Sequence, residues 1–230
     1  MENKIFITNQ IEKVKRGDYT DFLDPYEEHQ VISILNKNNM KYNILKLFNG
    51  CEKSIIYTNN YPSITLLEIN TSAILCHKDI LGTLFSHNIK ISKYGDIVIT
   101  DKYYLPILDS IKPYILNNIN MISKTPIKFK EVDIDTISNY HYNFEEIELL
   151  VSSLRIDNVV STITSLSRKN VDELFNDKFI FINYLNNIKR TYTIKENDII
   201  AIRRNGKYKF DSVLKVTSKN KYIIKLLKYK

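Results

Sequence analysis

The sequence predicts an α+β protein of three successive units, and three observations predict it. Residues 1–62 combine an Asp-Pro helix start with two short runs of strand-forming residues, which makes a small α/β unit. Residues 63–143 read strand, helix, strand, strand, helix, strand with short connections, the order of a ferredoxin-like split unit. Residues 144–230 read as two short helices leading into a small sheet, and they hold the excess of positive charge.

In the first unit, Phe22-Leu23-Asp24-Pro25-Tyr26-Glu27 is a helix start: Asp24 caps, Pro25 takes the first helical position, and Glu27 can reach back as a capping-box carboxylate. Val31, Ile34 and Leu35 are expected to form its buried face. Asn43 to Phe48 and Ser54 to Thr58 read as strands around Asn49-Gly50, and Tyr61-Pro62 as a boundary. In the second unit the strands are Ile64 to Ile69, Asp96 to Thr100, Tyr103 to Ile107 and Ile127 to Val132, with helices over His77 to His87 and Leu108 to Asn118. RNA-recognition domains share this RRM-like order with many unrelated proteins, so the order alone does not establish RNA binding. Tyr103 and Tyr104 are the aromatics on its central strands that could stack on bases; a place in the core or on the surface explains them equally well.

The third unit begins with Ile156, Val159, Val160 and Ile163 at helical spacing, and Val171, Leu174 and Phe175 repeat the pattern. Ser167 stands between the two patterns and caps the second helix, so Arg168 and Lys169 fall in its first turn. Cations are disfavoured at that positive end, by about 0.3–1 kcal/mol. A hydroxyl, free amides and two cations together make a phosphate site, and a solvated first turn is the competing explanation. Phe179 to Ile182, Thr191 to Ile194 and Ile199 to Ile202 follow as short strand-like runs. Arg203, Arg204, Lys207 and Lys209 then place four cations around a turn, which suits phosphate contacts.

The net charge of +7 lies entirely at one end: Glu146 to Lys230 holds 17 Lys and Arg against 9 Asp and Glu, and Met1 to Glu145 holds 16 against 17. Such asymmetry marks nucleic-acid binding, although attraction to a membrane surface gives the same tally. Lys215, Lys219, Lys221, Lys225, Lys228 and Lys230 are expected to be a solvated strand and tail. No apolar run is long enough to span a bilayer, and Met1-Glu2-Asn3-Lys4 lacks the start of a signal peptide, so a cytoplasmic protein is expected. Cys51 and Cys76 are too few and too far apart for a disulfide framework or a zinc site. His29, His87 and His141 are isolated, and His77 and Asp79, two apart on a helix, point to different sides. The five glycines never cluster into a phosphate-cradling loop. No catalytic residue, metal or cofactor is therefore expected.

Ser153-Leu154-Arg155-Ile156-Asp157, Ser167-Arg168, Ile182-Asn183 and Asn197-Asp198-Ile199-Ile200, in this order, resemble the S-four-type (alpha-L) RNA-binding domain. That resemblance implies that the two helices and the following loop grip RNA through Arg155, Ser167, Arg168, Lys169 and Asn183. Where that family has a glycine before a strand this chain has Lys178, and lysine adopts a positive φ less readily. His77-Lys78-Asp79-Ile80-Leu81-Gly82, Gly95-Asp96-Ile97, Phe22-Leu23-Asp24-Pro25 and the Arg203 to Phe210 tail resemble signatures of the YlmH family, bacterial proteins with a C-terminal S-four-type domain. Phe48 to Ser54 departs from that family's Gly-Gly-Tyr segment. The resemblance implies ribosomal RNA, tRNA and the large ribosomal subunit as partners. Enzymes that carry such a domain need a catalytic domain or motif not found in the rest of this chain, so a non-enzymatic RNA-binding protein is expected, as a monomer and with no membrane. Its implied setting is ribosome-associated quality control of stalled nascent chains. An RNA-modifying enzyme of the pseudouridine synthase or methyltransferase type, using Asp79 or Asp96, is one alternative, and a cell-division or membrane-surface scaffold is another.

Overall fold

Ile7, Ile11 and Val14, four and three residues apart, bury one face of helix α1 (Glu2–Lys15), an element the sequence pattern did not announce because polar residues fill most positions between them. They pack on Val31 and Leu35 of α2 (Pro25–Lys37). The expected capping box closes the start of α2: Glu27 N–H donates to Asp24 Oδ1 at 2.8 Å and Asp24 N–H to Glu27 Oε2 at 3.1 Å. Ile34, expected in the buried face, is instead exposed, because Val31 and Leu35 with Ile32 fill the contact stripe. The structure is a computed structural model that describes residues 2–229, apart from the side chain of Glu2. It divides into two compact units, Met1–His141 and Tyr142–Lys230, each α+β.

In the first unit, β1 (Asn43–Leu45) and β2 (Ile55–Tyr57) form a short antiparallel pair; β1 starts where expected but ends earlier, and β2 is one residue shorter at each end. The loop between them wraps a carboxylate: Asp96 Oδ2 accepts from Glu52 N–H at 2.8 Å, Lys53 N–H at 2.9 Å and the Cys51 thiol at 3.0 Å. Lys53 Nζ donates to the carbonyls of Ile91 and Tyr94, and burial pushes its pKa down to about 8. On the other side Asp21 is gripped by Lys13 at 2.6 Å and Lys93 at 2.9 Å.

Next come β3 (Ile64–Asn70), α3 (His77–Ser86), β4 (Val98–Ile99), β5 (Tyr103–Leu108), α4 (Lys112–Asn118), the hairpin of β6 (Met121–Ile122) and β7 (Thr125–Pro126), and β8 (Lys128–Val132). The second helix starts four residues later than expected, where Pro113 fits the first turn. The sheet order is β4-β5-β3-β8, antiparallel throughout. Leu67 and Ile69 of β3 pack with Ile80, Leu84 and Ile115 of the helices. The alternate residues Leu66 and Glu68 are also buried, at 1% and 5% exposure, so β3 is covered on both faces.

The second unit is β9 (Phe144–Val151), α5 (Ile156–Thr164), α6 (Arg168–Asn176), β10 (Ile180–Ile182), β11 (Ile199–Ile202), β12 (Gly206–Val216) and β13 (Tyr222–Tyr229). The strands form one antiparallel sheet in the order β10-β11-β12-β13-β9. Ile156, Val159 and Val160 of α5 and Val171 of α6 pack on Tyr208, Phe210, Ile224 and Leu226. Helix α6 ends in a Schellman motif, with Phe179 N–H donating to Leu174 O and Lys178 N–H to Phe175 O. Lys178 takes φ +57° there, so a lysine makes the left-handed turn at which glycine is usual. Thr191–Ile194 is not a strand. Its backbone holds the start of α5 instead, through Ile156 N–H to Tyr192 O and Ile194 N–H to Leu154 O.

Candidate nucleic-acid interface

The N-terminal turns of α5 and α6 open onto a groove of about 460 Å³, wholly within the second unit. Ser153 and Arg155 lie before α5, Asn158 and Ser161 on it, Arg168 on α6, and Arg190 on the loop before the Thr191–Ile194 segment. Asn158 Oδ1 accepts the Ser152 and Ser153 N–H groups, which fixes the approach of β9 to the helix. Ser167 caps α6, its hydroxyl accepting from Asn170 N–H at 3.4 Å. Arg168 and Lys169 are exposed in that first turn, and among the described residues neither has a hydrogen-bond or ion-pair partner. The cap and the two cations thus stand together as the sequence placed them.

The other cations of the groove are held by carboxylates. Arg155 forms a two-pronged pair with Asp157, at 3.1 and 2.6 Å. Arg190 pairs with Asp172 at 2.6 Å and donates to Asn176 at 2.7 Å. These pairs are exposed, so a phosphate competes for the guanidinium groups at small cost. Arg190 was not singled out from sequence, although the adjacent Lys189-Arg190 in a loop was a visible signal.

The remaining expected residues lie elsewhere. Asn183 is occupied in building a turn: it takes φ +48°, donates to Asp198 Oδ1 at 2.7 Å and accepts from Ile199 N–H at 2.8 Å. Arg203 and Arg204 sit at the β11–β12 turn, Arg203 over the Phe179 ring at 5.0 Å. Lys207 and Lys209 alternate along β12 with Tyr208 and Phe210, which face the helices, so the two lysines face away from the groove. Lys207 lies over the rings of Tyr184 and Tyr229, at 5.1 and 4.8 Å. The cations expected from sequence therefore lie on more than one surface, Arg155, Arg168 and Lys169 at the helical groove and Lys207 and Lys209 on the outer side of the sheet. On β13, Lys225 pairs diagonally with Glu146 at 2.7 Å and Lys228 with the directly opposite Glu145 at 3.5 Å, so part of the basic tail is neutralised across the strands.

Residues 58–136 match the family described as "Putative RNA-binding domain in YlmH". The chain is also 21% identical over 224 residues to the ribosome-associated protein quality control protein P2 of Bacillus subtilis (strain 168), covering 92% of this chain and 87% of that protein. Both findings make the chain similar to YlmH-family proteins. The solved structure of the cell division protein ylmH from Streptococcus pneumoniae has a similar fold over 60% of this chain and 96% of its own, with a TM-score of 0.51 at 16% identity.

The family's matched region contains none of the site residues expected from sequence, all of which lie in the second unit. Within it, the two tyrosines on the central strands are not free for stacking. Tyr104 is buried beside Glu68, and the Tyr103 hydroxyl accepts from Leu75 N–H at 2.9 Å. Among the described residues no group of three or more His, Cys, Asp or Glu could hold a metal ion, and no helix is long and apolar enough to cross a membrane.

Proposed function

We propose that the protein binds structured ribosomal RNA and tRNA on the large ribosomal subunit, as a monomer in the cytoplasm, in quality control of stalled nascent chains. It acts by occupancy, without catalysing a reaction. We read the second unit as an S-four-type domain and residues 63–143 as a ferredoxin-like, RRM-like unit following a small N-terminal domain at 1–62. The observation that carries the reading is the start of α6: a capping hydroxyl with two exposed cations that have no partner among the described residues, beside a groove with two further arginines. The RNA-binding description of the matched family and the ribosome-associated Bacillus subtilis relative support the RNA and ribosome parts of it.

The carboxylates that an RNA-modifying activity would use are engaged internally. Asp79 accepts from Cys76 N–H at 2.8 Å and Ser123 Oγ at 3.2 Å, and the Cys76 contacts hold its carboxyl below the usual range. Asp96 is the hub of the Cys51–Lys53 loop. Binding of ribosomal RNA and tRNA should be measured over a range of salt for the native chain and for an Arg168→Ala, Lys169→Ala double variant. Two lost phosphate contacts should lower affinity and reduce the slope of log K against log salt by about 1.8. Equal affinity and slope in the two proteins would overturn the reading.

A further inference from the structure

Within the region matched by the RNA-binding family, the face of the sheet that would stack bases is closed. Leu66, Glu68, Val98 and Tyr104 on that side are all less than a tenth exposed, and Lys102 covers Glu68 at 3.0 Å. An RNA contact in this region has to use another surface. Helix α3 presents one. Lys78, Gly82 and Phe85, spaced by four and three, share its outward side, while Ile80 and Leu84 face the core.

Two of the three, Phe85 and Gly82, are unusual for a helix surface. Phe85 is 82% exposed, a large apolar ring in water. Lys78 is exposed and has no partner among the described residues. Gly82 lies in the helix interior, where glycine destabilises relative to alanine, and a Cβ built on it would meet no atom within 4 Å. Packing within the protein therefore gives no reason for a glycine here. Bare backbone at this position admits something from outside the chain.

Beside this stripe a groove of about 360 Å³ runs between α3 and the β6–β7 hairpin, lined among others by Lys78, Gly82, Ser86, His87 and Ser123. The one carboxylate on it, Asp79, already accepts from Cys76 N–H and Ser123 Oγ, so it leaves the Lys78 ammonium unneutralised. The Ser86 hydroxyl donates to Thr83 O and keeps its oxygen lone pairs for a ribose hydroxyl. An ammonium, hydroxyl oxygens, naked backbone and an exposed ring are the requirements for one unpaired nucleotide with its phosphate.

We propose that this side of α3 is a second RNA contact, which takes an unpaired nucleotide: the phosphate at Lys78, the ribose against Gly82, and the base on Phe85. The inference rests on the RNA-binding reading above, and names a surface that is separate from the α5–α6 groove.

The test uses the full chain, an RNA hairpin with an unpaired loop, and purified large ribosomal subunits. Gly82→Ala should raise the thermal midpoint of unfolding and yet weaken hairpin binding, a combination that loss of fold cannot produce. Gly82→Gln and Phe85→Ala should each lower affinity about fivefold or more. Hairpin affinity unchanged in both would overturn the proposal. So would intact hairpin binding with lost subunit binding, which would assign the stripe to a protein partner. The Arg168→Ala, Lys169→Ala variant run in parallel separates the two readings: if it loses affinity while the α3 variants keep theirs, only the α3 contact fails. A native chain that binds no RNA would overturn both.

Discussion

The unit Met1–His141 carries 16 Lys and Arg against 16 Asp and Glu, and Tyr142–Lys230 carries 17 against 10. The difference in placement is larger than the difference in number. In the first unit charge is turned inward, with Asp21 between Lys13 and Lys93, Glu68 under Lys102, and Lys53 driven into carbonyls beside Asp96. In the second, Arg168, Lys169 and Arg204 stand exposed, and the arginines that do pair are paired at the surface. Buried pairs fix a fold and are costly to break, whereas exposed cations are nearly neutral for stability and available to a polyanion. Net charge alone would have attributed function to the second unit and none to the first.

Several substitutions would break or sharpen that contrast. The largest effect is expected in the apolar core of the second unit, where Ile224→Ala, at a fully buried position, should lower stability by about 2–5 kcal/mol in urea unfolding. Asp21→Asn in the first unit should cost about 2–4 kcal/mol, somewhat less than a wholly buried pair because both lysines keep some exposure. Burial alone would raise the Asp21 carboxyl, but its bonds and charge contacts with the two lysines outweigh that and hold it below its ordinary 3.8. Its contribution is therefore present above pH 3.8 and is lost as the pH falls through the lower folded value. The native chain should lose this stability on acidification, and the Asn variant should not.

Against these, Arg168→Ala with Lys169→Ala should leave stability within about 0.5 kcal/mol while weakening RNA binding, and Lys225→Ala with Lys228→Ala should change the salt slope by less, since Glu146 and Glu145 already face those lysines. Glu27 offers a titration of opposite sign to that of Asp21. Burial and the neighbouring Asp24 push its carboxyl up to about 7 from 4.5, so the folded state binds a proton that the unfolded chain has lost. Stability should fall as pH rises from 4.5 to 7, and Glu27→Gln should flatten that slope in thermal melts. A modest gain, about 0.5–1 kcal/mol, is expected for Lys178→Gly from relief of the left-handed turn, read in the same thermal melts.

Those parts of the chain that follow one period were legible in the sequence. Helices α5 and α6, the Ser167 cap, the Asp24–Glu27 box and the strand order of the middle region all follow local rules that nothing distant overrides. Strand β9 was hidden because Phe144-Glu145-Glu146-Ile147-Glu148-Leu149 carries acids on both sides, Glu145 in line with Ile147 and Leu149, and only the pairing with β13 shows it as a strand. Thr191–Ile194 has the composition of a strand but bonds the start of α5, a long-range choice that composition does not record. At the site, the cations were visible, but which of them are already matched was not. Asp157 lies two residues from Arg155 and could have been weighed, whereas the Asp172 partner of Arg190 comes from a separate element.

The two cysteines of the first unit differ in a way that has a practical use. Burial, with the Asp96 carboxylate beside it, suppresses ionisation of the Cys51 thiol, while Cys76 is exposed just ahead of α3. An alkylating fluorophore added to the folded protein should therefore label one site without any engineering, at the rim of the α3 surface. Its emission would then report what approaches that helix while the second unit is varied independently.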